Sequence, residues 1–186
     1  MNTDLRRANS QNFPVELTIS SGTAEDVDQI LKLQKYWLQK TRACKQGFLF
    51  GCPFSQKQLL SIVRKAEISV AWVNQNFAGF FLLDSLAENV LTQDYKERLQ
   101  KYRHHFTGTV CPRAQIAVHP KYLGMGISKR LTQSSTATFK KSYDAVFSIV
   151  SKQNNNMSKH LHNGWEIIDE DDEMYYVKLD LNKKNT

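Results

Sequence analysis

In VELTIS, residues 15–20, apolar and polar positions alternate with the two-residue period of a half-buried strand, and the polar SGTAED after it breaks the pattern. Thr23, with Asp26 three places on, has the form of a helix start. Val27, Ile30, Leu31 and Leu38 then recur at helical spacing. A Gly- and aromatic-rich connection, TRACKQGFLFGCPF, leads to Ser55 and Gln58, a second capping pair, ahead of Leu59, Leu60 and Val63. ISVAWV and FAGFFLL flank the turn signal NQN, which predicts a hairpin in mid-chain. From Ser85 to Arg103 the period turns helical again. Leu91, Tyr95, Leu99 and Tyr102 share a face, while Asp94 with Arg98 and Glu97 with Lys101 pair four apart.

The second half continues with a strand, AQIAV, a helix, GISKRLTQSSTATFKK, and a further strand, DAVFSIV. NNNMSKHLHNGW gives a short helix ending at Asn163-Gly164, since Gly just past the last helical residue stops a helix. WEII and MYYVKLDL around DEDDE predict a closing hairpin. The strand–helix–strand unit is long enough for a right-handed crossover, so the pattern predicts a mixed α/β (α+β) fold. No internal repeat is visible. The chain divides into a tail, 1–13, one domain, 14–182, and a short tail, 183–186.

Composition narrows the class. At 186 residues, with 41% hydrophobic and 23% charged, the chain suits one ordinary globular domain. No apolar run reaches the roughly 20 residues of a membrane span, and the polar start MNTDLRRANSQN lacks a signal-peptide core, which predicts a cytoplasmic protein with no membrane partner. Cys44, Cys52 and Cys111 have no metal-like spacing, so free thiols in a reducing compartment are expected and no metal. The net charge of +7 favours an anionic partner. Its lysines and arginines are scattered, with no basic stripe interleaved with aromatics, which argues against nucleic acid.

The densest chemistry lies in QIAVHPKYLGMGISKRL, residues 115–131. Gly124 permits a sharp turn after the strand, and Gly126 permits close approach of a ligand to the backbone. The helix that follows opens with N–H groups lacking intrahelical partners, backed by its dipole, which makes an anion site. Lys121 and Lys129 add charge. A turn that needs Gly for geometry alone has the same local signature. A dinucleotide fingerprint would need a third Gly where Lys129 stands, and the G-x-x-x-x-G-K-[ST] phosphate loop is absent.

AVHPKYLGMGISKRL resembles the acetyl-coenzyme A motif of the GCN5-related N-acetyltransferase (GNAT) family, V-x-P-x-[YF]-[RQ]-G-x-G-[IVL]-[GA], through Val118, Pro120, Tyr122, Gly124, Gly126 and Ile127. The order of elements over residues 15–181 is similar to that family's, and HNGW at 162–165 resembles its last-helix ending. Leu123 replaces the usual Arg or Gln, and Ser128 the usual Gly or Ala. The resemblance implies a mixed, mostly antiparallel central sheet of about seven strands with flanking helices. It implies that the backbone of Ile116, Ala117 and Val118 pairs with the pantetheine arm, and that the amides of Leu123, Gly124, Met125, Gly126, Ile127, Ser128 and Lys129 receive the pyrophosphate. The motif strand would splay from DAVFSIV, with the thioester in the gap, and Asn155 or a neighbouring Asn would touch the cofactor arm. The implied activity is transfer of the acetyl group of acetyl-CoA to a primary amine by direct attack in a ternary complex. The same fold acting as a silent acyl-CoA sensor is the alternative.

That reaction needs a neutral amine, a stabilised oxyanion and a proton for the thiolate. Relatives carry a Glu on the motif strand, where RAQIAV has no carboxylate. Asp84 and Glu88, after the hairpin, are candidates to reach the acceptor mouth, with solvation or helix capping as the plainer roles. His119 before Pro is read as a surface residue. The thiolate's donor in relatives is a Tyr four residues before the Gly, which here is His160, an imidazolium donor or an exposed helix residue. The segments 40–66 and 85–108 are expected to shape the pocket of a small-molecule or peptide amine, and the family's habit of dimerising leaves a homodimer open.

Overall fold

The computed structural model describes residues 16–44, 49, 53–85, 93–154 and 156–183. β1 is Leu17–Ser21. Thr23 and Asp26 form the expected pair, with Thr23 N donating to Asp26 Oδ2 at 2.7 Å, but they open a single 3-10 turn, Ala24–Asp26, that runs into α1, Val27–Cys44. α2, Gln56–Arg64, starts on a complete capping box: Ser55 N donates to Gln58 Oε1 at 2.8 Å and Gln58 N to Ser55 Oγ at 3.3 Å. β2, Ile68–Val73, and β3, Asn76–Leu83, form the mid-chain hairpin. Its turn residues Asn74 (φ 47°) and Gln75 (φ 64°) are both left-handed, as a two-residue type I′ turn requires.

α3, Gln93–Lys101, is the part of the 85–103 helix that falls on described residues. β4, Val110–Cys111, is a two-residue strand that the pattern does not predict, and β5, Ala114–Val118, is the predicted AQIAV strand. α4, Ile127–Phe139, and β6, Ala145–Ser151, follow, then α5, Met157–His162, and the hairpin of β7, Trp165–Glu170, with β8, Met174–Asp180. Among the described residues no helix is long and apolar enough to cross a membrane.

The sheet expected to hold about seven strands has eight among the described residues, hydrogen-bonded as two four-stranded sheets of order β1-β2-β3-β5 and β4-β6-β8-β7. Every pairing is antiparallel except β4 with β6. The division falls at a kink. β4 pairs Val110 with Ala145 and Cys111 with Val146, and the ladder with β6 ends at the next residue, Pro112. The carbonyls at this kink are met by side chains: Tyr95 Oη donates to Pro112 O at 3.1 Å and Cys111 Sγ to Arg113 O at 3.3 Å. Beyond the kink β5 pairs with β3 instead, and its other edge parts from β6.

Helices pack against the faces of both sheets. α1 and α2 cover one face of the first sheet through Ile30, Leu33, Leu59 and Ile62 against Val70, Phe80, Leu82 and Ala117. On the opposite face α4 bridges both sheets, its Ile127, Leu131 and Phe139 packed with Phe81, Val118, Val146, Val177 and Leu179. α3 covers the outer face of the second sheet with Tyr95, Tyr102 and Phe106 around Phe147 and Tyr176. Side chains as fully buried as Phe80, Phe81 and Leu131 contribute about 1.5–3 kcal/mol each. Two acids of DEDDE tie α3 down while staying partly exposed. Asp169 accepts from Tyr102 Oη at 2.6 Å, and Asp171 accepts from Tyr176 Oη at 2.5 Å and lies 3.3 Å from Arg98.

β3 and β5 approach closely at Gly79, where a Cβ would meet Ala117 O at 2.6 Å and Val118 Cα at 3.2 Å. Both are backbone atoms with nowhere to swing. Gly79→Ala is expected to lower unfolding free energy by about 1–3 kcal/mol in chemical denaturation, an overpacking cost.

Candidate functional site

Hydrogen bonds fix which way the backbone of β5 points. Asp84 N donates to Arg113 O at 2.9 Å and His119 N to Ala78 O at 2.8 Å, at the two ends of the β3–β5 ladder. Antiparallel pairs alternate, so Arg113, Gln115, Ala117 and His119 turn their amide groups to β3, while Ala114, Ile116 and Val118 turn theirs to the parted edge. Of the expected trio, Ala117 therefore serves the sheet, and Ile116 and Val118 present backbone to the gap. Val118 O is already taken by Trp37 Nε1, at 2.8 Å, which staples α1 to this edge. A buried strand edge needs partners for its remaining groups, and this one is built to receive an extended ligand.

After β5, His119 Nδ1 accepts from Lys121 N at 3.2 Å and caps a 3-10 turn, Pro120–Tyr122. Leu123 N then donates to Pro120 O at 3.3 Å and Met125 N to Tyr122 O at 3.4 Å, so two of the seven expected amides are spent inside the turn. Those of Gly124, Gly126, Ile127, Ser128 and Lys129 have no partner among the described residues. Gly124 (φ 83°) and Gly126 (φ 70°) are left-handed, and a Cβ on either would meet no protein atom within 4 Å. The turn thus keeps an open concavity lined by amides at the N-terminus of α4, a 13-residue helix. Lys129, Lys159 and Ser128 line the same hollow of about 320 Å³. It suits a phosphate by geometry and by charge.

Two further hollows lie inward of it and share walls with it in turn: a small one past Thr132, Asn156 and Asn163, which has Ser128, Lys159 and Asn163 in common with the first, and one at the gap between β5 and β6, together forming the cleft. Its inner end, about 70 Å³, is lined by Ile116 and Gln115 on one side and Ser148, Ile149 and Ser151 on the other. Asn154, His160 and Trp165 close it. The His160 ring stands edge-on to Trp165 with centroids 6.0 Å apart. Solvent reaches part of it, yet the protein packed around the ring lowers its pKa to about 4, because burial penalises the charged form. At neutral pH the cleft therefore holds a neutral imidazole. The imidazolium anticipated at this position is the minority form, for want of a nearby carboxylate to stabilise it among the residues lining the cleft.

The other expected residues separate. Asp84 is fully buried where β3 ends and does not line the cleft, although its chain position adjoins the kink. Glu88 and Asn155 lie outside the described residues. Asn154, a neighbour in the same run, is 5% exposed and lines the inner cleft, its Oδ1 accepting from Asn156 N at 2.9 Å. His119 is not among the residues lining the cleft. Cys111 is a buried thiol whose pKa burial pushes up to about 12, which leaves it inert. Gln34 and Gln115, both buried, were not singled out by motif or spacing. One signal for Gln34 was present, a polar residue four places from both Ile30 and Leu38 on an apolar stripe.

Comparison with protein-family models gives no match, and comparison with curated proteins gives none. Solved structures do match. The PaiA N-acetyltransferase of Thermoplasma acidophilum, in complex with coenzyme A, is 15% identical with a TM-score of 0.62, over 89% of this chain and 99% of that one. YncA of Salmonella typhimurium, a putative acetyltransferase with its cofactor acetyl-CoA, is 12% identical with a TM-score of 0.59, over 92% and 97%. A GNAT-family acetyltransferase of Listeria monocytogenes is 11% identical with a TM-score of 0.60, over 88% and 94%. With its strands parted at the kink and its amide-lined turn at the head of α4, this chain has the fold of the GCN5-related N-acetyltransferases.

Proposed function

We propose that residues 14–182 form a single acetyltransferase domain that moves the acetyl group of acetyl-CoA to a primary amine by direct attack in a ternary complex. The observation that carries this reading is the row of hollows with shared walls that leads from the open amide turn at Gly124–Lys129 to the parted strands beside His160. The residues fit the cofactor. Gly124, Gly126, Ile127, Ser128 and Lys129 would hold the pyrophosphate on their amides, with Lys129 and Lys159 adding charge. Ile116 and Val118 would hydrogen-bond the pantetheine arm as an added strand does. Bound there, acetyl-CoA supplies an activated thioester.

The chain's own part follows from what lines the inner cleft. His160, neutral at pH 7, offers one ring N–H and one ring nitrogen that accepts, so it relays a proton without carrying charge at rest. No carboxylate lines the cleft among the described residues, so the amine reaches it deprotonated or loses its proton to water. The same observation is what favours the second reading, a silent acyl-CoA sensor, and amine-dependent release of coenzyme A thiol decides between them.

Calorimetric titration with coenzyme A tests the cofactor site. The wild-type chain is expected to bind, and Gly126→Asp, which sets a carboxylate in the concavity, to lose affinity by at least about a hundredfold, a charge-repulsion and strain effect. Unchanged affinity in the folded variant would sink the phosphate assignment.

For His160, an NMR titration of the ring should give a midpoint near pH 4. With a folded pKa below the ordinary 6.5, the unfolded chain binds more protons between these values. Stability therefore rises with pH across that window and levels off above it. His160→Phe should abolish this slope and reduce kcat by about tenfold to a hundredfold, with coenzyme A affinity retained.

A further inference from the structure

The inner cleft contains an oriented amide that the cofactor site does not use. Phe54 N, which can only donate, gives its hydrogen to Gln34 Oε1 at 3.0 Å. That fixes the orientation of the Gln34 amide, so its Nε2 donates onward to Gln115 Oε1 at 2.9 Å. The second amide is thereby fixed too, and Gln115, which lines the inner cleft, is left with an Nε2 that has no partner among the described residues. Gln34 is 1% and Gln115 6% exposed, so neither amide is free to rotate in bulk water. Solvent still reaches Gln115 Nε2 in the open cleft, and a ligand that covers this NH₂ group costs free energy unless it brings an oxygen to meet its hydrogens.

Alternation along β5 shows which side this donor serves. Gln115 shares a face with Ala117, which packs with α1 and α2, while Ile116 and Val118 pack with α4. The amide turn and α5 both lie on the α4 side. Gln115 thus enters the gap from the opposite face, beside Leu49 of the α1–α2 connection. A ligand group meeting it comes from the acceptor side.

Resting on the acetyltransferase reading, we propose that Gln115, oriented by Gln34, selects the acceptor by donating a hydrogen bond from Nε2 to an oxygen carried beside the reacting amine. The acceptor class is then an amine flanked by a carbonyl or carboxylate, and simple alkylamines are disfavoured. Such a donor leaves an alkylamine's complex with a buried group unpaired, which is how a polar site discriminates against an apolar analogue. Gln115 acts on the substrate directly, and Gln34 is a positioning residue.

The test compares glycinamide with the similarly shaped isobutylamine as acceptors, with acetyl-CoA as donor and thiol release as the readout. The quantity of interest is the ratio of their kcat/KM values, and its change between variants cancels the difference in amine basicity. Gln115→Leu is expected to lower the ratio of glycinamide to isobutylamine by about tenfold or more. Gln34→Leu, which frees the Gln115 amide to turn over, should lower it severalfold, and Gln34→Met makes the same comparison if Gln34→Leu does not fold. A merely structural role would slow both amines alike, so an unchanged ratio in folded variants overturns the proposal. Coenzyme A titration separates the two readings. Binding without turnover of either amine overturns this selection while leaving the cofactor site standing, and absence of binding overturns the acetyltransferase reading itself.

Discussion

The structure depends on one strand that changes partners. Val110 and Cys111 pair with β6, and from Ala114 the same chain pairs with β3, the change of partner falling at the Pro112 kink. Exposing the edge of β5 within a protein carries a cost, since its backbone groups must find partners. The fold limits that cost with Tyr95 and Cys111 at the kink and Trp37 on Val118, and leaves the groups of Ile116 exposed where a ligand can satisfy them. α4 lies over this region with its apolar face in the core that the two sheets share.

Charge is divided along the cleft. Its mouth has lysines and unpaired amides, which suit an anion, while its inner end has amides, hydroxyls and a neutral imidazole. The acids of the closing hairpin stay out of this site. Hydrogen bonds from Tyr176 and backbone amides lower the pKa of Asp171 to about 2, and burial raises that of Tyr176 to about 12, so both hold α3 against the second sheet over a wide pH range. What the positive charge does at the site is done by Lys129 and Lys159, within reach of the turn.

Local order was legible in the sequence wherever one segment's own residues decide it. The capping box at Ser55 and Gln58, the Asn74-Gln75 turn, the Gly164 stop at φ 90° and the amide turn at Gly124 and Gly126 all appear as their residue types require. Side-chain alternation identified β5 and β6 as strands, and the order of elements pointed to the fold. The kink at Pro112 was visible as a proline, but the change of partner there was not, since that depends on which neighbour lies on each side.

What the sequence by itself determined is the set of elements, the cofactor-like turn and the chemical kind of each side chain, because these follow from backbone preferences over a few residues. Only the tertiary structure decided that Asp84 is buried away from the cleft, that the His160 ring is neutral, and that Gln34 and Gln115 face each other across 81 positions of chain. Burial, desolvation and the direction of an amide are properties of what surrounds a group. They come from residues far along the chain, and no local pattern carries them.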